Sequence, residues 1–185
     1  MRIIEWEHFL KKGLQPEGKK ASVTVGVFDG VHRGHRALIE LVVSHNADYT
    51  PVIFTFRENH KNEKHAGNIQ TFEQKAEMLA KLGIKILVVI DFTEPFKRMS
   101  GIEFLENLFK HIDIGFFAVG NNFRCGHGLD TNAEDVKNFF ASRNIPVKIA
   151  AEVMESSLPI SSSRIRAAIA EGDHKLAETL LGLPL

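Results

Sequence analysis

Apolar positions along the chain alternate between short uninterrupted runs and helically spaced stripes. Five runs predict buried strands, at 23–28, 51–56, 86–90, 116–119 and 146–153. Between them, apolar residues recur at spacings of three and four, which predicts amphipathic helices. Three of these helices open on a capping-box pattern, at 71–74, 100–103 and 131–134. Another helix follows the first strand from Gly34, and two more close the chain, at 162–171 and 173–181.

Strands that alternate with helices favour a parallel sheet covered on both faces. With right-handed crossovers this predicts a doubly wound, Rossmann-like α/β fold with five parallel strands and helices on both faces. We expect one domain over residues 1–185, in which residues 1–20 form a lead-in segment before the first strand. The polar stretch 57–70 is predicted to be a long surface loop. Ligands of such folds bind beyond the carboxyl ends of the strands, so we expect the site in the loops there.

Composition argues against several classes of protein: nucleic-acid-binding, membrane-bound, secreted and disulfide-stabilised. The formal net charge is zero over 185 residues, which gives no electrostatic reason to expect a nucleic-acid or membrane partner. The single cysteine, Cys125, excludes an intrachain disulfide and fits a reducing compartment. The N-terminus has no apolar signal-peptide core, and the run 86–90 is too short to span a bilayer. We therefore expect a soluble cytoplasmic protein.

The strongest candidate for chemistry is the H-x-G-H sequence from His32 to His35, directly after the first predicted strand. A strand-to-helix junction presents free backbone N–H groups and the positive end of a helix dipole, and both bind anions. Gly30 and Gly34 allow a phosphate close to the backbone because they have no Cβ. Both imidazoles lie on one face of the first helical turn and are expected to donate to one negative group. The motif therefore predicts a phosphate site.

Two other interpretations of this motif remain open. The first is a tight turn with two surface histidines and no ligand. The second is a zinc pair, which the spacing permits, although no cysteine lies near and no third ligand is evident in the sequence. The motif is neither the dinucleotide fingerprint G-x-G-x-x-G nor the P-loop.

Two further loops are predicted at the same edge of the sheet. Segment 120–128 is rich in glycine and amide side chains, and is as typical of an irregular turn as of a binding loop. Segment 158–166 brings three hydroxyls and two guanidiniums to the start of a helix. Serines there either cap the helix or bind phosphate, while Arg164 and Arg166 are suited to hold phosphate oxygens. These arginines point in different directions on a helix, so at most one is expected to face the ligand.

Taken together, the three loops show a resemblance to a known family. The chain resembles the adenylyltransferase domain of prokaryotic FAD synthetases, within the H-x-G-H nucleotidyltransferase superfamily. The likeness runs from about Ala21 to the C-terminus and rests on Gly26-Val-Phe-Asp-Gly-Val-His-Arg-Gly-His35, Gly120-Asn-Asn-Phe-Arg-Cys-Gly126, Ile160-Ser-Ser-Ser-Arg-Ile-Arg166, Gly172-Asp173 and Leu181-Gly182. The resemblance implies that AMP passes from ATP to FMN, giving FAD and pyrophosphate, with Mg²⁺.

The resemblance also implies roles for individual residues. The catalytic residues would be His32, His35 and Arg166, with the histidines holding ATP phosphates and stabilising charge on the α-phosphate. The implied ATP-binding residues are Gly26, Phe28, Asp29, Gly30, Gly34, Ser162, Ser163 and Arg164. The implied flavin-binding residues are Phe56, Asn122 and Arg124. No residue of the chain is assigned as a metal ligand.

The chain departs from the family pattern in places. Where the family usually shows F-x-P-H-P, this sequence has Phe56-Arg-Glu-Asn-His60, and Cys125 and Ser163 replace a usual aromatic and a usual threonine. Bifunctional members continue into a riboflavin kinase domain, whereas this sequence stops at Leu185, so no riboflavin phosphorylation is expected. Two rival hypotheses are an H-x-G-H nucleotidyltransferase with a different acceptor, and a nucleotide- or flavin-binding module without turnover.

Overall fold

The computed structural model describes residues 1–16, 19–57 and 67–184. Within these ranges, six strands form one sheet: β1 (Arg2–Glu5), β2 (Lys20–Val25), β3 (Tyr49–Phe56), β4 (Ile86–Ile90), β5 (Ile114–Gly120) and β8 (Val147–Ala150). All pair in parallel, in the order β1-β4-β3-β2-β5-β8. Four two-residue strands form two small antiparallel pairs: β6 (Arg124–Cys125) with β7 (Thr131–Asn132), and β9 (Met154–Glu155) with β10 (Leu158–Pro159).

In the described ranges, eight α-helices connect and cover the strands. They are α1 (Trp6–Lys12), α2 (Arg33–Val43), α3 (Phe72–Lys81), α4 (Glu94–Arg98), α5 (Gly101–His111), α6 (Ala133–Ala141), α7 (Ser162–Ala170) and α8 (His174–Leu181). A short 3-10 helix spans His127–Leu129. Within the part of the chain that the structure describes, no helix has the length and apolar character needed to cross a bilayer.

The central strands bury side chains on both faces, and this explains their uninterrupted apolar sequences. In β4, residues 86, 88 and 90 pack into one cluster and residues 87 and 89 into the other. Helices α1, α5 and α6 contribute to the first cluster, and α2 and α3 contribute to the second. Helices α7 and α8 form a third cluster through Ile165 and Leu180. The doubly wound α/β fold predicted from the sequence is confirmed.

The predicted number of strands was wrong by one. The sixth strand, β1, lies in the segment 1–20 that was expected to be a lead-in, and it pairs in parallel with β4 at the edge of the sheet. Only Ile4 of its four residues is buried. An edge strand this short leaves too few alternating positions for the sequence pattern to identify it.

Several element boundaries also differ from prediction. The first predicted strand, 23–28, is β2 and ends at Val25, because the chain turns sharply at Phe28. The capping box predicted at 71–74 is present, but the one predicted at 131–134 is shifted by one residue. Asn132 is the cap of α6, and Asp135 closes its box. Of the predicted surface loop 57–70, residues 58–66 lie outside the described residues.

Candidate functional site

The turn formed by residues 26–32 follows β2 in the middle of the sheet. β2 lies between β3 and β5, so the chain leaves it where the strand order reverses. Ligands of doubly wound folds bind at this switch point. The loops after β3 and β5 begin at the same edge of the sheet, because all six strands are parallel. The H-x-G-H motif therefore occupies the position that the sequence predicted.

The backbone of this turn is strained. Phe28, Gly30 and Val31 have φ values of 53°, 85° and 37°, which side chains of L-residues rarely permit. Phe28 and Val31 are held by burial against α2 and α3. A Cβ on Gly30 would lie 3.1 Å from Ile69 Cδ1, and a Cβ on Gly26 would lie 3.0 Å from the Phe28 ring. Both glycines therefore provide the space that the tight turn needs.

His32 caps the N-terminus of α2 instead of lying within its first turn. Its Nδ1 accepts a hydrogen bond from the backbone N–H of His35 at 3.3 Å, so the proton of a neutral imidazole resides on Nε2. The rings of His32 and His35 stack with their centroids 3.6 Å apart. A Cβ on Gly34 would lie 3.2 Å from the His32 ring. Glycine at this position therefore lets the two imidazoles stack over the helix start.

Both histidines are neutral at pH 7. Burial lowers the pKa of His32 from 6.5 to about 4. The pKa of His35 is well below its usual value, first because of burial, then because of repulsion from His32 when that ring is protonated, and then because of the positive charge of Lys75. The Nδ1 atom of His35 is buried and has no hydrogen-bond partner among the described residues. The helix start thus presents two neutral imidazoles with unused hydrogen-bonding capacity.

Asp29 ties the turn to the N-terminus of α7. Its Oδ2 accepts from Arg166 at 2.6 Å, and its Oδ1 accepts from the backbone N–H of Ile69 at 2.9 Å. The Asp29 carbonyl accepts from the Ser162 hydroxyl at 2.8 Å, while Arg166 also donates to the Ser163 hydroxyl at 3.4 Å. The structure therefore brings the H-x-G-H turn and the Ser-Arg segment together, although 137 residues separate Asp29 from Arg166.

Arg164 is directed to a different surface from Arg166. Its guanidinium donates to the carbonyls of Glu155, Leu158 and Pro159, which belong to the β9–β10 pair. The N-cap of α7 is Ser161, whose hydroxyl accepts from the backbone N–H of Arg164. Capping thus occupies Ser161, and the two following hydroxyls contact the turn or Arg166. Of the two guanidiniums, that of Arg166 contacts the turn through Asp29, and which of them faces a ligand stays a prediction.

The three residues implied in flavin binding lie at the end of β3 and in the segment after β5. Phe56, the last residue of β3, packs edge-on against Phe92 and Phe96 with ring centroids 5.8 and 5.7 Å apart. Asn122 follows β5 and is exposed, and Arg124 is exposed in β6. No hydrogen bond or ring contact among the described residues joins these three to the histidines. They border the same sheet edge without contacting the stack.

Lys75 and Gln70 also hold the turn, and the sequence analysis did not anticipate either. Lys75 on α3 donates from Nζ to the Val27 carbonyl at 3.2 Å, and Gln70 donates to the Phe28 carbonyl at 3.2 Å. Burial lowers the pKa of Lys75 to about 8. A sequence signal for Lys75 existed, because it lies four residues before Leu79 on the apolar face of an amphipathic helix.

Comparison with known proteins identifies relatives of this chain. The family described as FAD synthetase matches residues 14–164. The bifunctional riboflavin kinase/FMN adenylyltransferase of Escherichia coli (strain K12) is 30% identical over 191 positions, which cover 100% of this chain and 60% of that protein. A protein named FAD synthetase from Listeria monocytogenes is 26% identical and is matched over 91% of this chain and 71% of its own length.

Solved structures show the same fold. A structure titled as a macrolide-efflux protein from Streptococcus pneumoniae has a TM-score of 0.85 and 28% identity, covering 100% of this chain and 61% of that one. A structure titled as a pantoate-beta-alanine ligase from Francisella tularensis complexed with beta-gamma ATP and beta-alanine has a TM-score of 0.60 over 96% of this chain and 78% of that one. At 14% identity this second likeness concerns the fold alone.

Proposed function

This chain belongs to the FAD synthetase family, and we propose that it is an FMN adenylyltransferase, which transfers AMP from ATP to FMN and releases pyrophosphate. The chain spans about 60% of the length of the bifunctional relatives. The observation that carries the proposal is the junction of the H-x-G-H turn with the Ser-Arg start of α7 through Asp29. Two helix N-termini, two neutral imidazoles and a guanidinium converge there, which suits a polyphosphate.

In the proposed reaction, an oxygen of the FMN phosphate attacks the α-phosphorus of ATP. The bond from the α-phosphorus to the bridging oxygen of the β-phosphate breaks, and pyrophosphate leaves with that electron pair. The attacking oxygen is already anionic, so the protein needs no nucleophile of its own. Catalysis then rests on position and on donors aimed at the phosphate oxygens. Nε2–H of His32 and an N–H of His35 supply such donors at the start of α2.

We assign the remaining roles to the residues in the segments around the stacked rings of His32 and His35. Arg166 with Ser162 and Ser163 would bind the leaving pyrophosphate portion, and the glycines, Phe28 and Asp29 would shape the nucleotide pocket. Arg164 would act here by holding the β9–β10 pair behind α7. Phe56, Asn122 and Arg124 would contact the flavin from the two flanking loops.

Mg²⁺ is proposed to reach the site with ATP. Among residues 1–16, 19–57 and 67–184, no group of three His, Cys, Asp or Glu side chains is arranged to hold a metal ion. The Asp29 carboxylate, which lies in the turn itself, is bound by Arg166. Mg²⁺ commonly retains waters and binds substrate phosphates with few protein ligands, so ATP oxygens would carry it. We also propose that the activity is cytoplasmic, where both nucleotides are available.

The direct test is to incubate the protein with ATP, Mg²⁺ and FMN, and to quantify FAD by chromatography and pyrophosphate by a coupled assay. FAD and pyrophosphate are expected in equal amounts. His35→Ala is expected to abolish turnover while unfolding remains cooperative, and the exposed His8→Ala serves as the matched control. Pyrophosphate that appears only with another phosphate acceptor would assign a different substrate. If the protein binds ATP but releases no pyrophosphate with any acceptor, it is a nucleotide-binding module without turnover.

A further inference from the structure

Lys75 is a buried cation close to the H-x-G-H turn. Groups of the protein itself accept hydrogen bonds from all three of its N–H donors. Its Nζ donates to the Phe56 carbonyl at 2.6 Å, to the Val27 carbonyl at 3.2 Å and to the Thr55 hydroxyl at 3.4 Å. An ammonium group has three N–H donors, so these acceptors satisfy it. The Thr55 hydroxyl in turn donates to the Val27 carbonyl at 3.1 Å. Lys75 therefore joins the carboxyl ends of β2 and β3.

These contacts begin where the regular sheet ends. The β2–β3 ladder has its last residue pair at Val25 and Phe54, and the Gly26 N–H then donates to the Phe54 carbonyl at 3.1 Å. Beyond that point the chain departs from β3 to form the strained turn. The Lys75 ammonium takes the place of ladder hydrogen bonds at Val27, immediately before the first positive φ. It thus fixes the point from which the H-x-G-H turn starts.

The charge of Lys75 also acts on one of the histidines, His35. The residue is 5% exposed. Burial lowers its pKa to about 8 and the Asp29 carboxylate opposes that effect, so at pH 7 the group is still mainly a cation. The groups that face His35 are the stacked His32 ring, the Phe28 ring and, through its charge, Lys75. A buried positive charge in this position disfavours the imidazolium form of His35.

We propose that Lys75 is a positioning residue for nucleotidyl transfer: its ammonium group anchors the carbonyls of Val27 and Phe56, and so holds the start of the turn on which the two histidines stack. This inference rests on the proposed function, since it assigns Lys75 a part in that reaction. Lys75 itself does not contact substrate, because Val27, Thr55 and Phe56 accept its hydrogen bonds. Its role is to hold the turn that carries the histidines.

The test compares Lys75→Met with Lys75→Arg and with Lys81→Met. Methionine fills similar volume but donates nothing, arginine keeps the charge and donors, and Lys81 is an exposed lysine on the same helix, paired with Glu77. For Lys75→Met we expect kcat for FAD formation to fall roughly tenfold to a hundredfold, because displacement of reacting groups by about 1 Å costs rates of this order. The KM for FMN should change less than about threefold. Lys75→Arg should recover part of the loss, and Lys81→Met should match wild type.

A second readout follows His35 directly. Its imidazole signals are titrated by NMR in the wild type and in Lys75→Met, without substrate. Removal of the positive charge should raise the pKa of His35 towards its usual value, and the acid limb of the kcat profile should move to higher pH. A purely structural lysine would lower the melting temperature and leave this titration unmoved. If Lys75→Met does not fold, Thr55→Val, which removes one acceptor of the ammonium, takes its place in the kinetic comparison.

Two results would overturn the inference. One is wild-type kcat in folded Lys75→Met or, where that variant fails to fold, in Thr55→Val. The other is an unchanged His35 titration in Lys75→Met. If the wild-type protein itself forms no FAD, the proposed function fails, and Lys75 is then judged by the NMR titration alone. The two failures are thereby kept apart.

Discussion

The ion pair between Asp29 and Arg166 should be among the most stabilising polar contacts in the protein. Arg166 Nη1 lies 2.6 Å from Asp29 Oδ2, and the two side chains are 16% and 5% exposed. The pair bridges the turn after β2 and the helix α7. Asp29→Asn keeps the shape and an acceptor for the Ile69 N–H, but it removes the charge that Arg166 faces. Arg166→Met leaves the Asp29 carboxylate buried without its cation.

The size of the effect follows from burial. Removing one partner of a buried ion pair costs about 3–5 kcal/mol, because the other charge stays desolvated and unpaired. Asp29→Asn retains one hydrogen bond and Arg166 is partly exposed, so we expect the lower end, about 3 kcal/mol, for each single variant. The double variant Asp29→Asn/Arg166→Met removes both charges of the pair. Its loss should therefore be no larger than that of either single variant, about 3 kcal/mol, instead of the additive value of about 6 kcal/mol.

Urea unfolding followed by circular dichroism measures these free energies, and the double-mutant cycle gives the coupling energy. The exposed pair of Arg57 with Glu5, whose side chains are 39% and 52% exposed, is the matched control and should couple by about 0–1 kcal/mol. A coupling below about 0.5 kcal/mol between Asp29 and Arg166 would refute the reasoning, since independent sites add within that error. It would mean that α7 is held against the turn by its apolar contacts and by the Ser162–Asp29 hydrogen bond, without a contribution from the ion pair.

Three further predictions concern the helix starts. Gly34→Ala should reduce FAD formation roughly tenfold or more with little change in melting temperature, because its Cβ would displace the His32 ring, 3.2 Å away, while alanine favours the helix. Burial lowers the pKa of His32 from 6.5 to about 4, so the unfolded chain takes up this proton first and the stability present above pH 6.5 declines towards pH 4. Urea unfolding at pH 7.5 and at pH 4.5 gives the loss of unfolding free energy between these two pH values. His32→Asn should make that loss smaller by up to about 3 kcal/mol, whereas the exposed His8→Asn should leave it unchanged. Asn132→Ala should destabilise by about 1 kcal/mol in the same assay, whereas unchanged stability would contradict its role as the cap of α6.

Local patterns in the sequence determined much of the fold. The apolar run 86–90 is a strand buried on both faces, and the capping box at 71–74 starts α3 as predicted. These features depend on residues two to four positions apart, so the sequence displays them directly. Prediction was wrong for β1, which buries a single side chain, and for the cap at 131–134, where several polar residues compete for one helix start. In both cases packing against distant segments determined the result: that β1 joins the sheet, and that Asn132 caps α6.

The sequence by itself also placed the histidines and the Ser-Arg segment at helix starts, because H-x-G-H and the serine run are recognisable by composition and spacing. Only the tertiary structure decided which of those groups meet. It paired Arg166 with Asp29, turned Arg164 towards the β9–β10 carbonyls, and brought Lys75 beneath the turn. The physical reason is that a long side chain takes its partner from whichever elements the folded core packs beside it. Those elements lie up to 137 residues away, and no local spacing encodes their distance.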